Sequence, residues 1–219
     1  MDMKTKIQGG ITLTNPDWLT WARKIQSIAK IGLIYCENDY DRERYEQLQE
    51  LALEILEAHT DVPAEKISGL FQHEQGYPTP KVDVRGAVFN EQGEILLVKE
   101  AKSGGWTLPG GWADVWDTPS LGVEREVREE SGFIVKANKL ISVYDRDHQG
   151  HPPHDFAIYK ITFLCEIEGG QATSSHETLA VEFFGEDVLP ELDTGRTLES
   201  HLHLCFEHHR NPSLATAFN

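Results

Sequence analysis

Three glutamates, Glu126, Glu129 and Glu130, stand at i, i+3 and i+4 within the stretch from Gly110 to Val135. In a helix that spacing puts all three carboxylates on one face. Like charges so placed repel by roughly 0.2–0.5 kcal/mol per pair, so a positive group outside the helix has to offset them. A hard divalent cation meets the demand, because Mg²⁺ takes oxygen ligands and is held by a few carboxylates together with water and substrate phosphate oxygens. The helix carries its own start and stop signals. Asp117 or Thr118 can accept from the free amides of the first turn, Pro119 lacks only an N–H that would be unpaired there, and Gly132 is a left-handed stop, which predicts a helix over about Thr118 to Ser131. Ahead of it Pro109-Gly110-Gly111 reads as a loop with little side-chain bulk, where backbone can come close to a ligand and the Gly110 carbonyl is a candidate metal ligand.

The same residues carry a resemblance. Gly111, five residues, Asp117, seven residues and then Arg125-Glu126-Val127-Arg128-Glu129-Glu130-Ser131-Gly132-Phe133 resembles the signature box of the Nudix hydrolases, which cleave nucleoside diphosphates linked to another moiety. One position departs: the family pattern has Glu where this chain has Asp117, a shorter acid that must reach the basic partner of the family's Glu. Any one of these glutamates alone reads as a solvated surface residue, and Arg125 with Glu129 as an ordinary surface ion pair. It is the fixed offsets taken together that set the box apart.

The resemblance implies attack of water on one phosphorus of a diphosphate, with Mg²⁺ or Mn²⁺ bridging enzyme and substrate. Carried over by position, Glu126 and Glu130 are the direct metal ligands, Glu129 is shared or bound through water, the Gly110 carbonyl is a candidate fourth ligand, and Arg125 orients the helix. Glu177, in Thr-Ser-Ser-His-Glu-Thr, resembles the place where several family members keep a late catalytic or metal-binding Glu, with Glu182 a weaker second. The implied substrate is a nucleoside diphosphate derivative of the CDP-choline or ADP-ribose type. The alternative is a non-catalytic Nudix-like sensor or interaction domain that holds a nucleotide without cutting it; the intact glutamate set favours the enzyme.

Composition bounds the rest. With 39% hydrophobic and 26% charged residues the chain reads as a soluble globular protein, and with no run near ~18 apolar residues and no apolar signal core the cytoplasm is the expected compartment. A net charge of −16 argues against broad attraction to nucleic acid or an anionic membrane and requires a cation to bridge any polyanionic substrate. Cys36, Cys165 and Cys205 are odd in number and far apart, which suggests neither a disulfide framework nor a zinc site.

Along the chain, residues 1–13 read as a loose polar tail. Asn15-Pro16 opens a helix to about Gly32 with Trp18, Trp21, Ala22, Ile25, Ile28 and Ala29 at helical spacing, and a second begins near Asp39 or Asp41 with Tyr45, Leu48, Leu51, Ala52, Ile55 and Leu56 on one face, ending by His59. A short third helix is predicted over Pro63 to about His73. The prolines and glycine of Gln75 to Lys81 form a linker, so residues 14–77 make a helical domain and 78–219 the catalytic one. So small a bundle is marginal alone and is expected to bury its remaining apolar face in a homodimer or against the catalytic domain.

Beyond the linker the period changes to that of strands: Val82 to Phe89, a hairpin turn at Asn90-Glu91-Gln92-Gly93, Glu94 to Lys99, Trp106 to Leu108, Phe133 to Tyr144, Phe156 to Ile167 and Ala180 to Phe184, with a last helix over about Thr197 to His209. This is a mixed α/β pattern that leaves α+β open. The resemblance implies the Nudix-type α/β/α sandwich. The helical N-terminal domain, Gly-Gly-Trp-Ala-Asp-Val, Cys-Glu-Ile-Glu-Gly-Gly and Val-Glu-Phe-Phe-Gly-Glu further resemble the Gram-positive bacterial subfamily that includes CDP-choline pyrophosphatases. His148, His151 and His154 fall in a proline-containing loop read as solvated or substrate-facing, and His201, His203, His208 and His209 as the surface of the last helix. Trp106, Trp112, Trp116, Tyr77 and Tyr144 could stack on a base or fill the core.

Overall fold

The structure, a computed structural model, describes residues 16–60, 77–115 and 117–219. The expected tail 1–13, the third helix from Pro63 and Trp116 lie outside the described residues. The chain divides into two compact units, a helical one within Leu13–Pro80 that also takes in Pro153–Ala157, and a second that holds every described strand.

In the helical unit α1 (Asp17–Tyr35) and α2 (Asp39–His59) form an antiparallel pair. Asn38 turns the chain between them, its Oδ1 accepting from the Asp41 N–H at 2.9 Å as the cap of α2. Trp18, at the start of α1, stacks on His59 at the end of α2 with ring centroids 4.9 Å apart. The buried face of α1 is Leu19, Ala22, Gln26 and Ala29, rotated from the expected one, so that Trp21 and Ile28 are exposed; on α2 Ala52 and Leu56 are buried and Leu51 is exposed. Leu19, Ala22 and Leu56 form the buried cluster of the pair, with Trp18, Leu53 and Ile55 partly buried against it.

In the second unit the strands are β1 (Lys81–Val88), β2 (Ile95–Glu100), β3 (Trp106–Thr107), β4 (Gly110–Trp112), β5 (Phe133–Asp145), β6 (Ile158–Gly170), β7 (Thr178–Phe184) and β8 (Ala217–Phe218). The helices are α3 (Pro119–Ser131) and α4 (Glu199–Arg210). A five-stranded mixed sheet runs β4-β1-β6-β5-β8, and an antiparallel one runs β3-β2-β7. The turn at Asn90 forms as expected, with the Gly93 N–H donating to the Asn90 carbonyl at 3.0 Å. It does not close a hairpin ladder: after the single bridge Phe89↔Ile95 the strands part into different sheets.

Alternation along β1 and β2 sorts two cores. Val84, Val88 and Leu96 pack with Val123 and Val127 of α3, whereas Ala87, Phe89, Ile95 and Leu97 pack with Leu202, Cys205 and Phe206 of α4. Each core draws on both sheets, so the strands form one central layer with a helix on either face, the α/β/α sandwich. Cys165 and Cys205 are buried and no cysteine is paired.

Two histidine readings are corrected. His151 is buried, its Nδ1 2.7 Å from the Thr194 carbonyl oxygen, and His201 and His208 are buried on the inner face of α4. His151 and His201 lie with ring centroids 5.1 Å apart. Burial pushes them down to about 3 and about 4 respectively. Their folded values lie below the usual unfolded value near 6.5, so the unfolded chain binds more protons in between, and stability present above about pH 6.5 is lost as pH falls toward 4. Each group contributes up to about 1.4 kcal/mol per pH unit in that window. The buried carboxylate of Glu130, raised to about 7, works in the opposite sense over the same range, so the check is a difference: relative to the wild type, His201→Phe is expected to lose less thermal stability between pH 7 and pH 5. An unchanged slope in the variant would refute the assignment.

Candidate active site

Helix α3 begins and ends where the sequence places it. The Thr118 side chain accepts from the Leu121 N–H at 3.3 Å, Pro119 is the first helical residue, and Gly132 closes the helix at φ +79°. The helix is seated at its middle and at its C-terminal end. Glu124 Oε1 accepts from the Ala137 N–H at 3.0 Å, and the Thr178 hydroxyl donates to the Glu130 carbonyl at 2.9 Å.

The stretch expected as a loop, Pro109-Gly110-Gly111, is in part a strand. Hydrogen bonds from the Gly86 N–H to the Pro109 carbonyl and from the Ala113 N–H to the Val82 carbonyl, both 2.9 Å, fasten β4 to β1. Between them Gly110 sits opposite Arg85 in a non-hydrogen-bonded pair, so its own N–H and C=O face away from β1. Gly110 has φ +142°, and a Cβ there would stand 2.0 Å from the Val84 carbonyl oxygen, so no other residue fits.

Two of the three glutamates meet this strand. Glu130 Oε2 accepts from the Gly110 N–H at 2.8 Å, and the Glu126 carboxylate lies so near Gly111 that a Cβ there would be 2.7 Å from Oε2. Glu129 is apart, its carboxylate exposed and 3.0 Å from Arg125. Burial pushes Glu130 up to about 7 against the opposing field of Arg85 and the Gly110 N–H, and burial raises Glu126 too.

Arg125 is a hub. Its nitrogens lie 3.2 Å from Asp114, 3.0 Å from Asp117, 2.8 Å from Glu126 and 3.0 Å from Glu129. Burial alone would lower its pKa, but the hydrogen bonds and charge of these carboxylates raise it, so it stays a cation. Asp117, the departure from the box pattern, reaches Arg125 despite its shorter side chain.

Glu177 is exposed, 3.2 Å from the His176 ring, and its backbone carbonyl accepts from the Ala101 N–H at 2.9 Å. Glu182 is on β7 opposite Leu97 and exposed. Trp106, partly buried, packs edge-on to Phe184 against the α4-side core, and Tyr144, also partly buried, stacks on His201, whereas Trp112 and Tyr77 are exposed.

Sequence reasoning missed Glu100 and Arg85. Glu100 ends β2 on the same face as Leu96, the α3 side, and is buried. The pairing slips there, Lys99 opposite Ala180 but Glu100 opposite Thr178, which leaves Leu179 as a bulge. Arg85 donates to the Leu108 carbonyl at 3.0 Å and to Asp83 at 2.8 Å, and Lys160 also pairs with Asp83. Burial alone would raise Asp83, but these two cations hold it at about 2. A charged pair at i, i+2 on a strand that reads as core was the available signal for Asp83 and Arg85; Glu100 had none beyond its place at a strand end.

Comparison with known proteins agrees with this geometry. Residues 79–202 match the NUDIX domain model. The chain belongs to the Nudix hydrolase family. Residues 16–71 match a second model, the UDP-X-like N-terminal oligomerisation domain. A Bacillus subtilis protein, YjhB, provisionally named an ADP-ribose pyrophosphatase, is 41% identical over 202 residues, covering 92% of this chain and 97% of its own. The crystal structure of an ADP-ribose pyrophosphatase from Streptococcus suis matches with TM-score 0.59 at 39% identity, over 64% of this chain and all (100%) of that one. That of a UDP-X diphosphatase matches with TM-score 0.59 at 27% identity, over 94% of this chain and 99% of that one. The chain is thus a Nudix pyrophosphohydrolase, and no described helix is long and apolar enough to cross a membrane.

The oxygen-only donor set of Glu126, Glu130 and the Gly110 carbonyl suits a hard cation. Among the described residues no three acidic, histidine or cysteine side chains converge on one point, so such an ion would rely on two carboxylates, backbone and substrate. Because Asp117 is one of four acids around Arg125, Asp117→Asn is expected to cost about 1 kcal/mol or less. Arg125→Met, which leaves all four unneutralised, should cost about 1.5–3 kcal/mol. Chemical denaturation of the two variants checks the order, and equal losses would contradict the hub.

Proposed function

We propose that the protein is a metal-dependent hydrolase that cleaves the diphosphate of a nucleoside diphosphate linked to another moiety, with ADP-ribose favoured over CDP-choline as the substrate type. The observation that supports the reading is that the Glu126 and Glu130 carboxylates of α3 lie against Gly111 and Gly110, consecutive residues of β4. The names of the Bacillus and Streptococcus relatives support the ADP-ribose type.

Glu126, Glu130 and the Gly110 carbonyl would hold Mg²⁺ or Mn²⁺, with Glu129 bound through water. The ion supplies Lewis acidity, lowering the pKa of water and neutralising diphosphate charge. Arg125 holds the carboxylates in register and keeps their mutual repulsion offset. Glu177 is the candidate to take the proton of the attacking water: it is exposed, and the neighbouring Thr178 is bonded to the C-terminal end of α3. Water adds at one phosphorus and the bridging oxygen leaves with the other, giving a nucleoside monophosphate and a phosphorylated second product.

The helical unit pairs with a second copy. Trp21, Ile28 and Tyr35 are 59%, 58% and 68% exposed and recur every seven residues, an apolar stripe along α1 that suits another helix. The match to an oligomerisation domain supports the same reading.

With Mg²⁺ or Mn²⁺ the purified protein should convert ADP-ribose to AMP and ribose 5-phosphate, and Glu130→Gln should lower kcat by at least about a hundredfold while keeping the fold, since shape is conserved and a metal-binding charge is lost. Nucleotide binding without products, seen by calorimetry, would favour a sensor instead. Separately, Ile28→Glu is expected to convert a homodimer to a monomer in light scattering; a wild-type monomer would overturn the pairing.

A further inference from the structure

A protein of net charge −16 that binds a diphosphate needs a cation free to meet it. Three arginines surround the acidic corner. Arg85 is 4% exposed and spends its donors on Asp83 and the Leu108 carbonyl, and Arg125 is shared among four carboxylates. Arg196 differs. Its side chain is 39% exposed, with Nη1 3.2 Å from Glu100 Oε1 and Nε 3.8 Å from Asp193 Oδ2. Neither approach has hydrogen-bond geometry, and Glu100 Oε1, buried, accepts no hydrogen bond among the described residues. The guanidinium is thus held by charge while its donors make no hydrogen bond among the described residues.

The backbone that carries it is pinned. Asp193 donates its N–H to the Trp106 carbonyl at 2.8 Å, the Thr197 N–H donates to the Asp193 carbonyl at 2.8 Å, and the Gly195 N–H donates to Asp193 Oδ1 at 3.0 Å. Arg146 donates to the Gly195 carbonyl at 3.2 Å. Thr197 Oγ1 accepts from the Leu108 N–H at 3.1 Å, two residues before Gly110, which ties this loop to the strand that meets Glu130. Glu100, in turn, lies within electrostatic reach of both Glu130 and Glu177.

We propose that Arg196 binds the diphosphate of the substrate, presented by the rigid Asp193–Thr197 loop and aimed by Glu100, an inference that rests on the diphosphatase reading above. A guanidinium matches phosphate oxygens with two parallel N–H donors, which a point charge does not reproduce. Glu100 is a positioning residue, acting through Arg196.

The test is steady-state kinetics of the full-length protein on ADP-ribose with Mg²⁺, with thermal melts alongside. Arg196→Gln should raise KM ten- to a hundredfold with kcat within about threefold; Arg196→Lys should raise it less, and Glu100→Gln by a few-fold. If the glutamine variant does not fold, the lysine variant decides by the same KM criterion. A KM equal to that of the wild type in the folded Arg196 variants overturns the inference, whatever happens to the melting temperature, because a merely structural ion pair would move stability and not KM. Wild-type protein that cleaves no diphosphate compound would instead sink the reading on which the inference rests.

Discussion

The hydrogen bond from the Gly110 N–H to the Glu130 carboxylate is the contact on which the site depends. It joins the last turn of α3 to the edge strand β4, and it is possible only because Gly110 adopts a backbone conformation and a closeness to Val84 that a side chain would forbid. With that contact made, Glu126 falls one turn back against Gly111, and both carboxylates border the same strand. The Thr178 hydroxyl on the Glu130 carbonyl then locks the same turn to β7. Helix, edge strand and the bulged strand thereby converge on one residue.

The charge balance around this contact explains how so many acids coexist. Glu126 and Glu129 repel along α3, and Arg125 sits among them and two further acids as a fixed counter-charge. On the other side Arg85, kept charged by Asp83, places a buried cation within electrostatic reach of Glu130 and Glu100. A buried charge of this kind is tolerated only when paired and hydrogen-bonded, and Asp83 meets both conditions through Arg85 and Lys160.

Much of this was legible from local signals. The cap, the proline and the terminal glycine of α3 act within a few residues, so its ends could be read directly, as could the strands rich in Ile, Val and Phe. The amphipathic faces of α1 and α2 are legible only in part: Ala22, Ala29, Ala52 and Leu56 are buried as expected, but Trp21, Ile28 and Leu51 are exposed, because which side of a helix is covered depends on the element packed against it. Of the α4 histidines, His201 and His208 depart from the expected surface position: the helix presents His201, Leu202, Cys205, Phe206 and His208 inward.

The sequence by itself determined the box and its helix, because these follow from spacing along one element. Tertiary structure alone decided that Pro109 to Gly111 pairs as a strand, that Lys160 joins Asp83 and Arg85, and that Glu100 lies within electrostatic reach of Glu130 and against Arg196. Lys160, Glu100 and Arg196 come from separate strands and a distant loop, and what they meet depends on strand order. Strand order leaves no periodic trace in the chain, since register is set by what the neighbouring strand offers.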